Sequence, residues 1–159
     1  MAAPYLTDKN VNDALLQEAY ERMKTEISTS HVLLRISEDA LPKDTIEAYT
    51  RLMIIRDAIM GKNPSAAKIA EYEAILKKSS SALTKNSTKQ DSVAYKAKLD
   101  AVKNIAAYVN SGADKFAAAA KKTSEEPGAS ESGGNIGYYS SLQVVYPYEN
   151  VMYKTNVGD

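Results

Sequence analysis

Cysteine and tryptophan are both absent, and histidine and phenylalanine occur once each. Without Cys there is no disulfide staple, no thiolate nucleophile and no Cys-ligated zinc, and one His excludes a multi-histidine metal site. No apolar run approaches the roughly 18 residues needed to cross a bilayer. The opening Met-Ala-Ala-Pro lacks the charged and apolar regions of a signal peptide, so the start reads as a boundary rather than a leader, with any address lying elsewhere.

What is present suits one domain with room for a subdomain: 159 residues, 44% of them hydrophobic. Tyr supplies the aromatic content, 11 residues against a single Phe. Each brings a hydroxyl that needs a partner or water, which favours half-wet packing over a deep dry core. The zero net charge hides a pattern. Residues 1–60 hold 7 basic and 10 acidic side chains (net −3), residues 61–123 hold 12 and 5 (net +7), and residues 124–159 hold 1 and 5 (net −4). The basic charges of the middle block are all Lys, with no Arg fork to grip phosphates or bases, so a solvated helical face is expected and sequence-specific nucleic-acid binding is not.

Periodicity divides the chain. Val11, Leu15, Ala19 and Met23 recur at helical spacing, predicting a helix from residue 8 to 26. The run ISTSHVLLRI, residues 27–36, is rich in β-branched and aliphatic side chains and predicts a mostly buried strand. Asp44 or Thr45 can cap a helix running through Ile46, Tyr49, Leu52, Met53 and Ile59, with Gly61 as its stop. Asn63-Pro64-Ser65 begins a second helix with Ile69, Tyr72, Ile75 and Leu76 on one stripe, and Lys85 to Gln90 form a turn. A third helix from about Asp91 to Gly112 carries Tyr95, Leu99, Val102, Ile105 and Val109, so residues 61–112 are expected to form an antiparallel helical hairpin. Asp114 to Lys122 is an Ala-rich helix, residues 123–134 a Pro/Gly loop, Ile136 to Ser140 a short strand, and Tyr146-Pro147-Tyr148 the start of a last helix.

Three segments, SHVLLRI, KFAAAAKKTSEEPGASESGGNIGYYSS and YPYENVMYKTNVGD, carry a motif set in a fixed order. A strand His precedes two aliphatic residues. Ser-x-x-Pro follows, then Gly-Gly-x-aliphatic-Gly-aromatic-x-Ser, then Pro-aromatic-Glu. In this the chain resembles the parvulin family of peptidyl-prolyl isomerases, and most of all its extracytoplasmic bacterial branch, which includes the SurA-type folding factors. The resemblance implies an α+β fold, predominantly helical overall, with a parvulin-like (FKBP-like) antiparallel sheet flanked by helices. Residues 1–26 would be an N-terminal linker helix, 27–60 and 113–159 a partial parvulin-like domain, and 61–112 an inserted hairpin. The family's closing strands would lie beyond Asp159, so weak or no activity is expected of these residues alone.

Turning an Xaa-Pro bond means breaking amide resonance, a barrier of roughly 18–20 kcal/mol, without making or cleaving a bond. It calls for an apolar cup for the proline ring and hydrogen-bonding groups where charge shifts in the twisted state, not for a metal or cofactor. By resemblance, His31 stands for the family's strand histidine, and Glu126 falls where the family carries Cys or Asp, its extra methylene being a departure. Ile136, Val144 and Tyr148 would form the cup, with Tyr148 in place of the family's Phe and Tyr139 beside it. The implied partners are proline-containing unfolded polypeptides, and the implied location is the periplasm or cell envelope. A catalytically idle module holding extended peptides in a Tyr-lined groove is the alternative.

Overall fold

The computed structural model describes residues 13–80 and 82–157. Helix α1 spans Asp13–Arg22, strand β1 Ile27–Ser30, α2 Pro42–Ile59, α3 Ala66–Leu76, α4 Lys89–Lys103, α5 Ile105–Val109, α6 Lys115–Thr123, α7 Ala129–Ser132, β2 Asn135–Tyr139 and α8 Tyr146–Lys154. The fold is α+β: helices dominate, and β1 and β2 form a two-stranded antiparallel sheet. The contacts divide it into two compact units, Val32–Gly134 and the described parts of Met1–His31 with Asn135–Asp159.

The unit Val32–Gly134 contains α2 to α7 around one apolar core. Ile54, Ile55 and Ala58 of α2, Tyr72 and Leu76 of α3, Val102 of α4, Ile105 and Val109 of α5 and Ala119 of α6 are buried together, each large aliphatic contributing about 1.5–3 kcal/mol. The hairpin region 61–112 thus shares its core with α2 rather than forming one of its own. Local chemistry sets the helix ends. Pro42 occupies the first turn of α2, and Asp44 accepts from the Leu41 N–H at 3.3 Å. The Ser65 side chain accepts from Lys68 N at the start of α3. Thr88 and Asp91 cap α4 reciprocally, placing its start two residues before the expected Asp91. The expected third helix is broken at Asn104, whose backbone leaves helical geometry (φ −102°, ψ 5°). Its apolar stripe nevertheless stays on the core side, with Tyr95 and Leu99 packed against the buried cluster.

Helix α2 departs from the expected stripe. Its buried face carries Glu47 and Arg51 along with Ile54, Ile55 and Ala58, whereas Ile46 and Tyr49 are exposed. Burial of Glu47 is compensated by a network: Tyr72 Oη donates to its Oε1 at 2.5 Å, Lys98 Nζ to its Oε2 at 2.9 Å, and the Arg51 guanidinium lies 3.4 Å from Oε1. Burial, with the Glu47 carboxylate beside it, raises the Tyr72 pKa well above its ordinary value, so the phenol stays protonated and donates.

The strand expected over residues 27–36 is correct only to Ser30. Beyond the unit boundary, Leu33 bonds instead to the exit of α6: its N–H donates to Ser124 Oγ at 3.1 Å and its carbonyl accepts from Glu125 N at 2.8 Å. Residues 32–34 are half-buried and Ile36 is exposed, so the expected deep burial is also corrected. The expected loop 123–134 contains α7, which packs on α6 because Gly133 permits it. A Cβ at Gly133 would lie 2.7 Å from Ala117 Cβ, and its φ of +66° is one that glycine adopts freely.

In the other unit, β1 pairs antiparallel with β2, placing Ile27 opposite Tyr139, Ser28 opposite Tyr138 and Thr29 opposite Gly137. The helix expected over 8–26 ends at Arg22, and residues 8–12 lie outside the described residues. Met23 of its expected stripe is 62% exposed. Arg22, a cation, takes the buried position instead.

Candidate functional site

Four of the residues singled out in the sequence lie on or beside the two-stranded sheet. His31 follows β1 directly. Ile136 and Tyr139 are on β2, and Val144 is in the loop that leads to α8; all four are half-buried. Gly137, at φ +86°, gives β2 a backbone conformation that other residues rarely adopt. Tyr148 sits in the first turn of α8, whose start combines Pro147 in the first two positions with the Val145 carbonyl accepting from both Tyr148 N and Glu149 N at 3.0 Å.

The structure brings His31 and Tyr148 into direct contact: Nδ1 is 2.9 Å from the phenol Oη, and the rings meet edge to face at 6.1 Å. The phenol can donate to or accept from Nδ1, and its choice selects which imidazole nitrogen carries the proton. A group that orders an imidazole in this way can present it to an amide without any bond being made. Ile136, Val144 and Tyr139 belong to the same unit as this pair. Glu126 belongs to the other one, half-buried in the turn before α7. There its N–H donates to Ser124 Oγ at 3.3 Å and its carbonyl accepts from Ala129 N at 3.1 Å. The neighbouring carboxylate, Glu125, accepts from the Arg51 guanidinium at 3.0 Å and from the Arg35 backbone N–H at 2.7 Å.

Sequence reasoning missed the group that anchors α8. Glu149 is fully buried, and Arg22 of α1, 6% exposed, donates to its Oε1 at 3.2 Å. Ser141 Oγ donates to the same oxygen at 3.0 Å, and Leu142 N to Oε2 at 2.7 Å. The Arg22 guanidinium also bonds Asn150 Oδ1 at 2.8 Å, pairs with Glu18, and lies against the rings of Tyr146 and Tyr153 at 5.6 and 5.0 Å. The Glu18/Arg22 spacing of four was the available signal in the chain, but such pairs are common on solvated helices. Pro-aromatic-Glu located Glu149 without revealing its partner. Among the described residues, no group of three or more acidic or His side chains is placed to hold a metal ion, and no helix is long and apolar enough to cross a membrane.

A family model described as the PPIC-type PPIase domain matches residues 58–159, well over half of the chain. The match begins within α2 and so does not reach β1 or His31. Among curated proteins, the foldase protein PrsA 4 of Bacillus cereus is 43% identical over 56 residues, covering 35% of this chain and 20% of that protein. The aligned part of the chain thus spans about a fifth of that relative's length. No solved structure matches the chain significantly.

Proposed function

The chain belongs to the PPIC-type PPIase domain family, and from that premise we propose that it is a peptidyl-prolyl cis–trans isomerase, a foldase domain acting on unfolded proline-containing polypeptides of the cell envelope. The observation that carries the reading is the 2.9 Å bond between His31 and Tyr148, in the unit that also holds Ile136, Val144 and Tyr139. In this reading the aliphatic side chains and the Tyr148 ring receive the pyrrolidine ring. The ordered imidazole lies under the amide, where charge shifts as conjugation is lost. Glu126, in the turn before α7, keeps in this reading the place of the family's Cys or Asp. The envelope location is drawn from the likeness of the motif set to the extracytoplasmic branch. The foldase relative supports the assignment to protein folding.

Uncatalysed Xaa-Pro exchange takes tens to hundreds of seconds, so even a small acceleration is measurable by NMR exchange spectroscopy on a proline-containing peptide. With the family's closing strands present on the protein assayed, exchange faster than in buffer is expected, falling about tenfold or more for Ile136→Ala and for Tyr148→Ala. Exchange at the buffer rate while peptide binding is saturated would overturn the isomerase reading. It would favour the alternative, a non-catalytic module that holds peptides. One observation supports that alternative: the ring of Tyr138, on β2 beside the site, is 73% exposed and open to an incoming aromatic or proline side chain. Tyr146 and Tyr153, in contrast, are engaged by Arg22.

A further inference from the structure

Helix α8 has two faces with different duties. By helical period Tyr146, Glu149, Asn150 and Tyr153 share one face, and Tyr148 lies on roughly the opposite one. The first face is occupied throughout by Arg22, which contacts all four of its side chains. The second presents the phenol that meets His31. A carboxylate as deeply buried as Glu149 is tolerated only when its oxygens are satisfied, and here they are, by Arg22, Ser141 and Leu142. Leu142 is the one non-glycine residue with positive φ among those described, at +68°, and its N–H is the group that Glu149 Oε2 accepts at 2.7 Å. The carboxylate therefore does two things at once. It holds the loop before Val144 in a conformation that a leucine does not favour, and it locks the rotation of the helix that carries Tyr148.

We infer that Glu149, clamped by Arg22, is a positioning residue that sets Tyr148 against His31 and shapes the loop bearing Val144; this deepens, and rests on, the isomerase reading. Arg22 lies outside the residues that the family model matches, so α1 contributes to the site through a contact beyond the matched domain. The clamp needs a planar fork: one guanidinium bonds Glu149, Asn150 and Glu18 while lying against two rings, a combination that a lysine ammonium cannot make.

The single histidine supplies the test, because its ring gives one set of imidazole resonances. In the full chain, Tyr148→Phe defines where the His31 ring ¹⁵N and ¹H signals lie once the phenol bond is lost. Glu149→Gln and Arg22→Lys are expected to move those signals toward the Tyr148→Phe positions, and to lower isomerase kcat/KM by about tenfold. Folded variants that lose stability yet leave the His31 signals at their parent positions would overturn the inference, since a purely structural ion pair predicts that result. Should Glu149→Gln fail to fold, Arg22→Lys and the milder Ser141→Ala are read in the same way: displaced imidazole signals support the clamp, and unmoved ones refute it. The imidazole readout does not depend on turnover, so absence of isomerase activity would remove the functional reading while leaving the positioning claim decided by the spectra.

Discussion

Asp44 shows how much one carboxylate organises when backbone donors surround it. Its Oδ1 accepts from Ser80 N at 2.5 Å, and its Oδ2 accepts from Ser80 Oγ at 2.7 Å and from Leu41 N at 3.3 Å, tying the start of α2 to the segment after α3. Those bonds, led by the one from Ser80 N–H, hold its pKa below the ordinary 3.8. A carboxyl whose folded-state pKa lies below its unfolded value contributes stability in full above that value, and the contribution is lost as pH falls through the folded pKa. Asp44→Asn is therefore expected to lower stability at pH 7, by an amount that solvent screening of this exposed group keeps small. Thermal unfolding should show the gap to the parent closing as pH drops below about 4; a gap independent of pH would refute the assignment. At this scale the chain was partly legible. His31 and Tyr148 were visible as members of a motif, because residue order is what a motif records. Their 2.9 Å contact was not, because it depends on where α8 lies relative to the end of β1.

At the scale of elements, Gly133 and Gly61 separate two kinds of glycine requirement. Both have positive φ, +66° and +82°, but a Cβ at Gly61 meets nothing within 4 Å whereas one at Gly133 would strike Ala117. Gly61→Ala should cost about 1–2 kcal/mol from backbone conformation alone. Gly133→Ala should cost about 2–4 kcal/mol, because displacing α7 from α6 is added to it. Urea unfolding of the two variants checks the difference, and equal losses would show that the close approach is unimportant. Helices α3 and α6 were read close to their places, since the 3.6-residue stripe and the starts near Ser65 and Asp114 are local signals, whereas the cap expected at Asp44 or Thr45 falls inside α2, which starts at Pro42. The strand was read too long because β-propensity runs on past Ser30, and the sequence of one strand does not disclose how many residues its partner will pair.

For the molecule as a whole, the two units are built on different principles. Val32–Gly134 has the large apolar core, whereas among the described residues of the other unit only Met152 is a buried hydrophobic, alongside buried Arg22, Ser141 and Glu149. A two-stranded sheet is marginal by itself, so amide hydrogen exchange should be at least about tenfold slower in α2, α3 and α5 than in β1 and β2. Equal protection would mean that the polar clamp stabilises its unit as strongly as an apolar core does. Composition and periodicity alone determined the helical majority, the absence of thiol chemistry and the segments that bear the family motifs, because each is a property of nearest neighbours along the chain. Only the tertiary structure decided that Glu47, Arg51, Arg22 and Glu149 lie inside. A charged side chain can be buried only where partners from distant segments converge on it, and no local pattern encodes that convergence.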